Sequence, residues 1–122
     1  MESEDAIVAL AALAQSTRLD VFRLLVKQEP DGLAAGEIAK ALAIPQNTMS
    51  AHLAVLSRAG LVTARRDGRS IVYRADLAKL QQVMLFMLSD CCNGRPEICG
   101  PLVESLTLRC SPPGKKRVHA KV

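Results

Sequence analysis

The sequence predicts a mainly α-helical domain that carries one small β-hairpin. Apolar residues recur at helical spacing in the first half of the chain, most regularly at Met49, Leu53 and Leu56. After Gly60 the pattern changes to two strand-like runs joined by the turn signal Asp67-Gly68. The chain has 122 residues, the length of one domain, and is 49% hydrophobic, so it can bury one core.

Four helices are predicted ahead of this hairpin, over residues 5–14, 16–28, 36–43 and 46–59. The first carries Ile7, Leu10 and Ala14 on one face, and Ser16 is placed to cap the second. The turn-forming segment Glu29-Pro30-Asp31-Gly32 ends the second helix. Gly60 ends the fourth, because glycine readily adopts the left-handed conformation found after many helices.

The third and fourth helices, joined by the turn Ala43-Ile44-Pro45, form a helix-turn-helix pattern. Polar side chains cluster at the start of the fourth helix, at Gln46, Asn47, Thr48, Ser50 and His52. Short polar side chains in this position suit the base edges of a DNA major groove. An ordinary solvated helix face would give the same pattern, and His52 could instead pack against the turn.

The hairpin is predicted from strands over residues 61–66 and 70–74, with Arg65, Arg66 and Arg69 near its turn. A solvated hairpin end would also explain these three arginines. Behind a helix-turn-helix, however, a basic hairpin is more typical of the wing of a winged helix, where it contacts DNA phosphates. The predicted fold is therefore a winged helix-turn-helix.

A last helix is predicted from Leu77 to Cys91, with Asp76 as its cap. A long apolar stripe runs along it, made of Leu80, Val83, Met84, Met87, Leu88 and Cys91. This stripe is larger than so small a core needs, so we expect a homodimer interface formed together with the first helix. Packing of the helix on its own domain is the alternative.

Composition and charge narrow the possible partners. Sixteen Lys and Arg against twelve Asp and Glu give a net charge of +4, which is compatible with a nucleic-acid partner. Only 2% of the residues are aromatic, so stacking on single-stranded bases is not expected. No stretch has the length and apolarity of a membrane span, and the N-terminus is acidic, unlike a secretory signal, so a cytoplasmic protein without a membrane partner is expected.

Three segments resemble the ArsR/SmtB family of bacterial metal-responsive repressors. These are ALAQSTRLDVFRLLV, which ends at Val26, SAHLAVLSRAGLV from Ser50 to Val62, and RRDGRSIVYR from Arg65 to Arg74. They resemble the family's second-helix entry, its recognition helix and its wing, in that order. Together they extend the resemblance over most of the chain, from about Ile7 to Cys91.

The resemblance implies a symmetric dimer that binds double-stranded operator DNA. Two recognition helices would enter successive major grooves, about 34–36 Å apart, on a palindromic site. In this chain the resemblance places Gln46, Asn47, Ser50 and His52 at or near base edges. Thr48 and the three hairpin arginines would mostly contact phosphates.

Three of the four cysteines lie close together in the sequence, at Cys91, Cys92 and Cys99. Adjacent cysteines rarely form a disulfide with each other, so a shared ligand is favoured. Three thiolates suit a three-coordinate metalloid such as As(III) or Sb(III), whereas zinc usually takes four ligands. Cys110 is expected to take no part, and burial of the cysteines as small apolar side chains is the alternative.

The chain departs from two other metal sites of the family. Residues 36–42 lack the paired cysteines that some arsenic repressors carry in the first helix of the helix-turn-helix. The last helix has Asp76 but no histidine for the family's zinc site. What remains resembles the arsenite- and antimonite-responsive members with a C-terminal cysteine pair and a further cysteine.

The predicted organisation has three parts. Residues 1–92 form a dimerising DNA-binding domain, 93–110 a metalloid-binding segment and 111–122 a disordered basic tail. The predicted function is repression of an arsenic-resistance operon, relieved when As(III) or Sb(III) binds Cys91, Cys92 and Cys99. Another thiophilic metal, methylated arsenic or thiol oxidation are alternative signals.

The sequence favours a repressor over an enzyme and over a protein that only sequesters metal. An enzyme is not expected, because the chain has neither a glycine-rich phosphate loop nor a Cys-x-x-Cys motif. A protein that only sequesters metal would bind no specific DNA.

Overall fold

The computed structural model describes residues 1–88, 100–102 and 104–105 of the chain. In chain order its elements are α1 (Ser3–Leu13), α2 (Ser16–Lys27), β1 (Leu33–Ala34), α3 (Ala35–Leu42), α4 (Gln46–Arg58), β2 (Val62–Asp67), β3 (Ser70–Ala75) and α5 (Leu77–Leu88). The bounds of α1 to α4 agree with the predicted helices to within two residues. The mainly helical fold with a small hairpin is therefore confirmed.

The three strands form one antiparallel sheet in the order β1-β3-β2. The short strand β1, which the sequence did not predict, pairs Leu33 with Tyr73 on β3. In the hairpin Asp67 pairs with Ser70, so the two-residue loop is Gly68-Arg69 and lies one residue later than predicted. Gly68 opens this loop with a φ of +66°, a conformation that favours glycine.

The core is centred on the apolar side of α4. Met49, Leu53 and Leu56 are each 0% exposed, as the spacing predicted. They pack in one cluster with buried residues of the surrounding helices and strands, including Val21, Leu25, Ile38, Leu61 and Val83. Complete burial of a side chain of this size stabilises the fold by about 1.5–3 kcal/mol. This packing fixes which side of α4 faces outward.

The turn between α3 and α4 sets the start of α4. The amide of Ala43 donates to the Lys40 carbonyl at 3.2 Å, and that of Ile44 donates to the Ala39 carbonyl at 3.0 Å. This is the Schellman pattern of helix ends, and Ala43 takes the left-handed conformation it needs, with a φ of 55°. Pro45 follows Ile44 and immediately precedes α4, which begins at Gln46.

The first two helices differ in detail from the sequence prediction. The face of α1 that packs inward consists of Ala6, Ala9 and Ala12, whereas Ile7 is 60% exposed. Small alanines allow α1 to approach the core closely, which leaves its larger side chains outside. The cap of α2 is Gln15, whose side chain accepts the Arg18 amide at 2.9 Å, rather than Ser16.

Helix α5 begins as predicted, because Asp76 accepts the amide of Lys79 at 3.1 Å. Val83 is buried, but Leu85 is 59% exposed and Phe86 38% exposed. Cys91, the predicted end of this helix, lies outside the described residues. Within the described ranges, none of the helices combines the length and apolarity that crossing a membrane requires.

An ion pair ties the turn after α2 to strand β3. The Arg74 guanidinium donates to both carboxylate oxygens of Glu29, at 2.7 Å and 3.2 Å. This hydrogen bonding lowers the pKa of Glu29 below its ordinary value of 4.5. Beside the pair, Gly32 has a φ of +75° and lies so close to β3 that a methyl group would collide with the Tyr73 carbonyl oxygen.

We expect Gly32→Ala to destabilise the protein more than the matched substitution Gly68→Ala. Both glycines have positive φ values, but a methyl at position 68 would meet no atom within 4 Å. Gly68→Ala should therefore cost only the left-handed backbone penalty, about 1–2 kcal/mol. Gly32→Ala adds a collision with β3, and urea unfolding of both variants measures the difference. Equal losses would contradict the close approach of residue 32 to β3.

Candidate nucleic-acid interface

The outward side of α4 carries a continuous row of exposed residues. Asn47, Ser50, Ala51, Ala54 and Arg58 are exposed and recur at helical spacing. They lie opposite the buried row that holds α4 in the core. Because one side of α4 is buried in the core, its solvated side is held in a fixed orientation and is accessible to another molecule.

A groove separates the start of α4 from the hairpin. It has a volume of about 460 Å³ and is bordered by the first turn of α3, by Gln46 and Ser50 of α4, and by Arg69 of the hairpin loop. Three of the predicted DNA-contacting residues therefore border one concave surface. The acidic side chain of Glu37 also borders it.

The hairpin arginines do not all lie on the same face of the sheet. Arg66 pairs with Ile71, which borders the groove, whereas Arg65 pairs with Val72 on the opposite face. Side chains directly opposite each other in an antiparallel pair share a face, so Arg66 lies on the groove side. The sequence prediction treated Arg65 and Arg66 alike, and the strand register separates them.

Asn47 makes a local hydrogen bond in the first turn of α4. Its side-chain oxygen accepts the amide of Thr48 at 2.9 Å, and both residues are exposed. The carboxamide nitrogen of Asn47 is a hydrogen-bond donor that this contact does not use. Donors of this kind bind the acceptor atoms of purines in a major groove.

His52 occupies a different side of α4 from Asn47 and Ser50. It is half-buried, and its Nδ1 lies 3.5 Å from Nη1 of Arg18 on α2. This is the packing alternative that the sequence left open. The base contact of His52 stays a prediction, and Gln46, Asn47 and Ser50 are exposed.

The sequence prediction omitted three exposed residues of the same α4 face, Ala51, Ala54 and Arg58. The helical spacing from Asn47 could have identified them, because steps of four, seven and eleven residues stay on one side of a helix. Two of the three are apolar alanines and all lie beyond the polar start of the helix, so a pattern of polar side chains at that start does not include them.

The proposed metalloid ligands Cys91, Cys92 and Cys99 lie outside the described residues, as does Cys110. Within residues 1–88, 100–102 and 104–105, no group of three or more His, Cys, Asp or Glu side chains could hold a metal ion. The cysteine site therefore rests on the sequence.

Comparison with known proteins agrees with this geometry. A family model described as a helix-turn-helix domain matches residues 13–65. The nodulation protein NolR of Rhizobium meliloti is 38% identical over 90 residues, which cover 71% of this chain and 70% of NolR. The transcriptional activator HlyU of Vibrio cholerae is 37% identical over 71 residues, 58% of this chain and 63% of HlyU, so the chain spans less than two thirds of that relative.

Two solved structures are also similar. One is the homodimeric winged helix-turn-helix DNA-binding domain of a possible ArsR-family regulator from Mycobacterium bovis, with a TM-score of 0.57 and 29% identity over 75% of this chain and 85% of that one. The other is a possible transcriptional regulator for arsenical resistance, with a TM-score of 0.58 and 26% identity over 85% of this chain and 97% of that one.

The fold, the exposed face of α4 and these relatives define a winged helix-turn-helix DNA-binding protein. More particularly, the chain belongs to the ArsR/SmtB family of transcriptional regulators. The resemblance that the sequence suggested is thus confirmed at the level of family and fold.

We expect Arg66→Ala to weaken DNA binding more than Arg65→Ala, because Arg66 lies on the groove side of the hairpin and Arg65 lies on the opposite side. Each lost phosphate contact should reduce the slope of log K against log salt concentration by about 0.9. Fluorescence anisotropy over a salt series, on a duplex that the wild type selects from a random pool, measures both quantities. A larger effect of Arg65→Ala would contradict the assignment. If Arg65, Arg66 and Arg69 can all be neutralised without loss of affinity or slope, the hairpin is not a DNA contact.

Proposed function

We propose that the chain is a homodimeric repressor of an arsenic-resistance operon, released from its operator when As(III) or Sb(III) binds Cys91, Cys92 and Cys99. The observation that supports operator binding most strongly is the exposed polar start of α4 beside the hairpin groove. Family membership supports the same conclusion independently of the geometry.

The roles proposed for individual residues follow from their positions. Gln46, Asn47 and Ser50 would read base edges, because they are exposed on the outer side of α4. Thr48, Arg66 and Arg69 would contact phosphates, with Arg65 contributing only long-range attraction. For His52 we propose a supporting role inside the domain beside the predicted base contact.

A homodimer is proposed from the exposed apolar side chains of two helices. Ile7 and Val8 of α1 are 60% and 52% exposed, and Leu85 of α5 is 59% exposed. Exposed apolar residues on neighbouring helical turns are typical of a protein interface. The homodimeric state of the similar Mycobacterium bovis domain supports this proposal.

The inducer is proposed from the chemistry of three closely spaced thiols. Thiolates are soft ligands, and three of them fit the trigonal coordination of As(III) without a fourth protein ligand. The similarity to a possible regulator for arsenical resistance supports this choice. A coupling free energy of about 1–3 kcal/mol between the metalloid and DNA sites would be enough for regulation.

Within this proposal the chain is organised as the sequence predicted. Residues 1–92 bind DNA and dimerise, residues 93–110 carry the metalloid ligand Cys99, and residues 111–122 form a basic tail. The protein works without an organic cofactor and without a membrane, in the cytoplasm where its thiols remain reduced.

We expect a Cys91→Ser, Cys92→Ser, Cys99→Ser triple variant to bind operator DNA normally and to remain bound when arsenite is added. The wild type should be released at about one arsenite per chain, because the three thiols act as one site. Cys110→Ser is the matched control and should respond like the wild type. Anisotropy measures release, and equilibrium dialysis with elemental analysis measures bound arsenic.

Each other outcome of this titration identifies a different error. Release of the triple variant by arsenite would show that the site is wrong. Release of the wild type only by zinc or cadmium, by methylated As(III) or by peroxide would replace the inducer and retain the repressor. Loss of arsenite response in Cys110→Ser would add a fourth ligand.

A further inference from the structure

Arg18 lies where a cation is electrostatically disfavoured. It is the third residue of α2, and the N-terminal turn of a helix carries a partial positive charge. That turn contains no acidic residue to compensate for it. The local structure of α2 therefore gives no reason for an arginine, and the reason must lie in what the side chain reaches.

The Arg18 side chain reaches back to the end of α1. Its Nε donates to the carbonyl oxygen of Ala12 at 2.7 Å. This carbonyl belongs to the last turn of α1, where carbonyl groups lack partners within the helix and favour a positive charge. The guanidinium thus satisfies the C-terminus of α1 although it belongs to α2.

The same guanidinium also reaches α4. Its Nη1 lies 3.5 Å from Nδ1 of His52, which is half-buried on α4. Arginine only donates hydrogen bonds, so in this contact Nδ1 is the atom that would accept, as it can in the tautomer protonated at Nε2. The side chain of Arg18, which belongs to α2, therefore contacts both α1 and α4.

An open pocket lies next to the Arg18 side chain. A cavity of about 280 Å³ lies between α1 and α4, bordered by Val8 and Ala11 on one side and by Val55 and Arg58 on the other. Arg18 forms part of its border. The Arg18 guanidinium therefore lies beside an open pocket and contacts a residue of each of the two helices that border it.

We propose that Arg18 is a positioning residue that sets the placement of the DNA-reading helix α4 relative to α1. This inference rests on the proposed function, in which α4 reads DNA and α1 contributes to the dimer interface. Because α1 would be held by the second protomer, the Ala12–Arg18–His52 link transmits the placement of that interface to α4. Arg18 does so without contacting DNA itself.

The test compares Arg18→Ala, His52→Ala and the double variant that combines these two substitutions. The control is Arg23→Ala, which removes an exposed arginine from the same helix. On a duplex selected by the wild type from a random pool, Arg18→Ala should bind roughly tenfold more weakly, and the double variant no worse than Arg18→Ala. The salt slope should not change, because no phosphate contact is lost. Arg23→Ala should bind like the wild type, and all variants should remain dimers by light scattering.

A spectroscopic measurement separates positioning from general damage. The chain has two histidines, so a His119→Asn background leaves His52 as the sole imidazole. In that background ¹⁵N NMR should show the Nε2-protonated tautomer, and Arg18→Ala should shift the Nδ1 resonance. Arg18→Lys should keep the contact with the Ala12 carbonyl on α1 but lose the contact with His52, because lysine has no planar guanidinium. Its DNA binding should therefore lie between that of Arg18→Ala and that of the wild type.

The outcomes distinguish this inference from the proposed function. Additive losses in the double variant, a salt slope reduced by about one, or an Nδ1 resonance indifferent to Arg18 would each overturn the positioning role. If the wild type selects no duplex while the resonance still depends on Arg18, the DNA function fails and the contact remains. If the wild type selects a duplex that Arg18→Ala binds equally well, the inference fails and the DNA function remains.

Discussion

The structure depends on the burial of one side of α4. Met49, Leu53 and Leu56 are fully buried, so the helix can rotate only by exposing all three. Replacing one buried leucine by alanine typically costs about 2–5 kcal/mol, which is a large part of the stability of a small domain. The same constraint that builds the core therefore fixes Asn47, Ser50, Ala51, Ala54 and Arg58 on the outer side. The side of α4 that packs in the core and the side that we propose to contact DNA are therefore opposite sides of one helix.

Much of the fold followed from the sequence because its signals are local. The spacing of α4, the turn before it and the Asp76 cap of α5 each depend on residues within a few positions of one another. Strand β1 was missed because two residues, Leu33 and Ala34, carry no periodicity and form a strand only by pairing with distant β3. The inward face of α1 was also missed, since alanines gave a weaker signal than Ile7 although they pack closer.

The candidate site was predictable to the extent that it lies on regular elements. Gln46, Ser50 and Arg69 border one groove, as expected for a reading helix beside a wing. Sequence alone could not separate Arg65 from Arg66, because the difference arises from strand register. It also could not place His52 against Arg18, which lies 34 positions earlier in the chain. Contacts between remote segments form only in the folded core, so no local pattern encodes them.

The most direct test of the central claim is hydroxyl-radical footprinting of the wild-type protein on the promoter region beside its own gene. A dimer that reads DNA through two copies of α4 should protect two patches centred about 34–36 Å apart, one helical turn, on the same face of the duplex. The protection should persist in excess random DNA, because base contacts distinguish the operator from other sequences. Absence of protection, or a uniform protection that random DNA abolishes, would contradict the account that α4 is a sequence-reading helix.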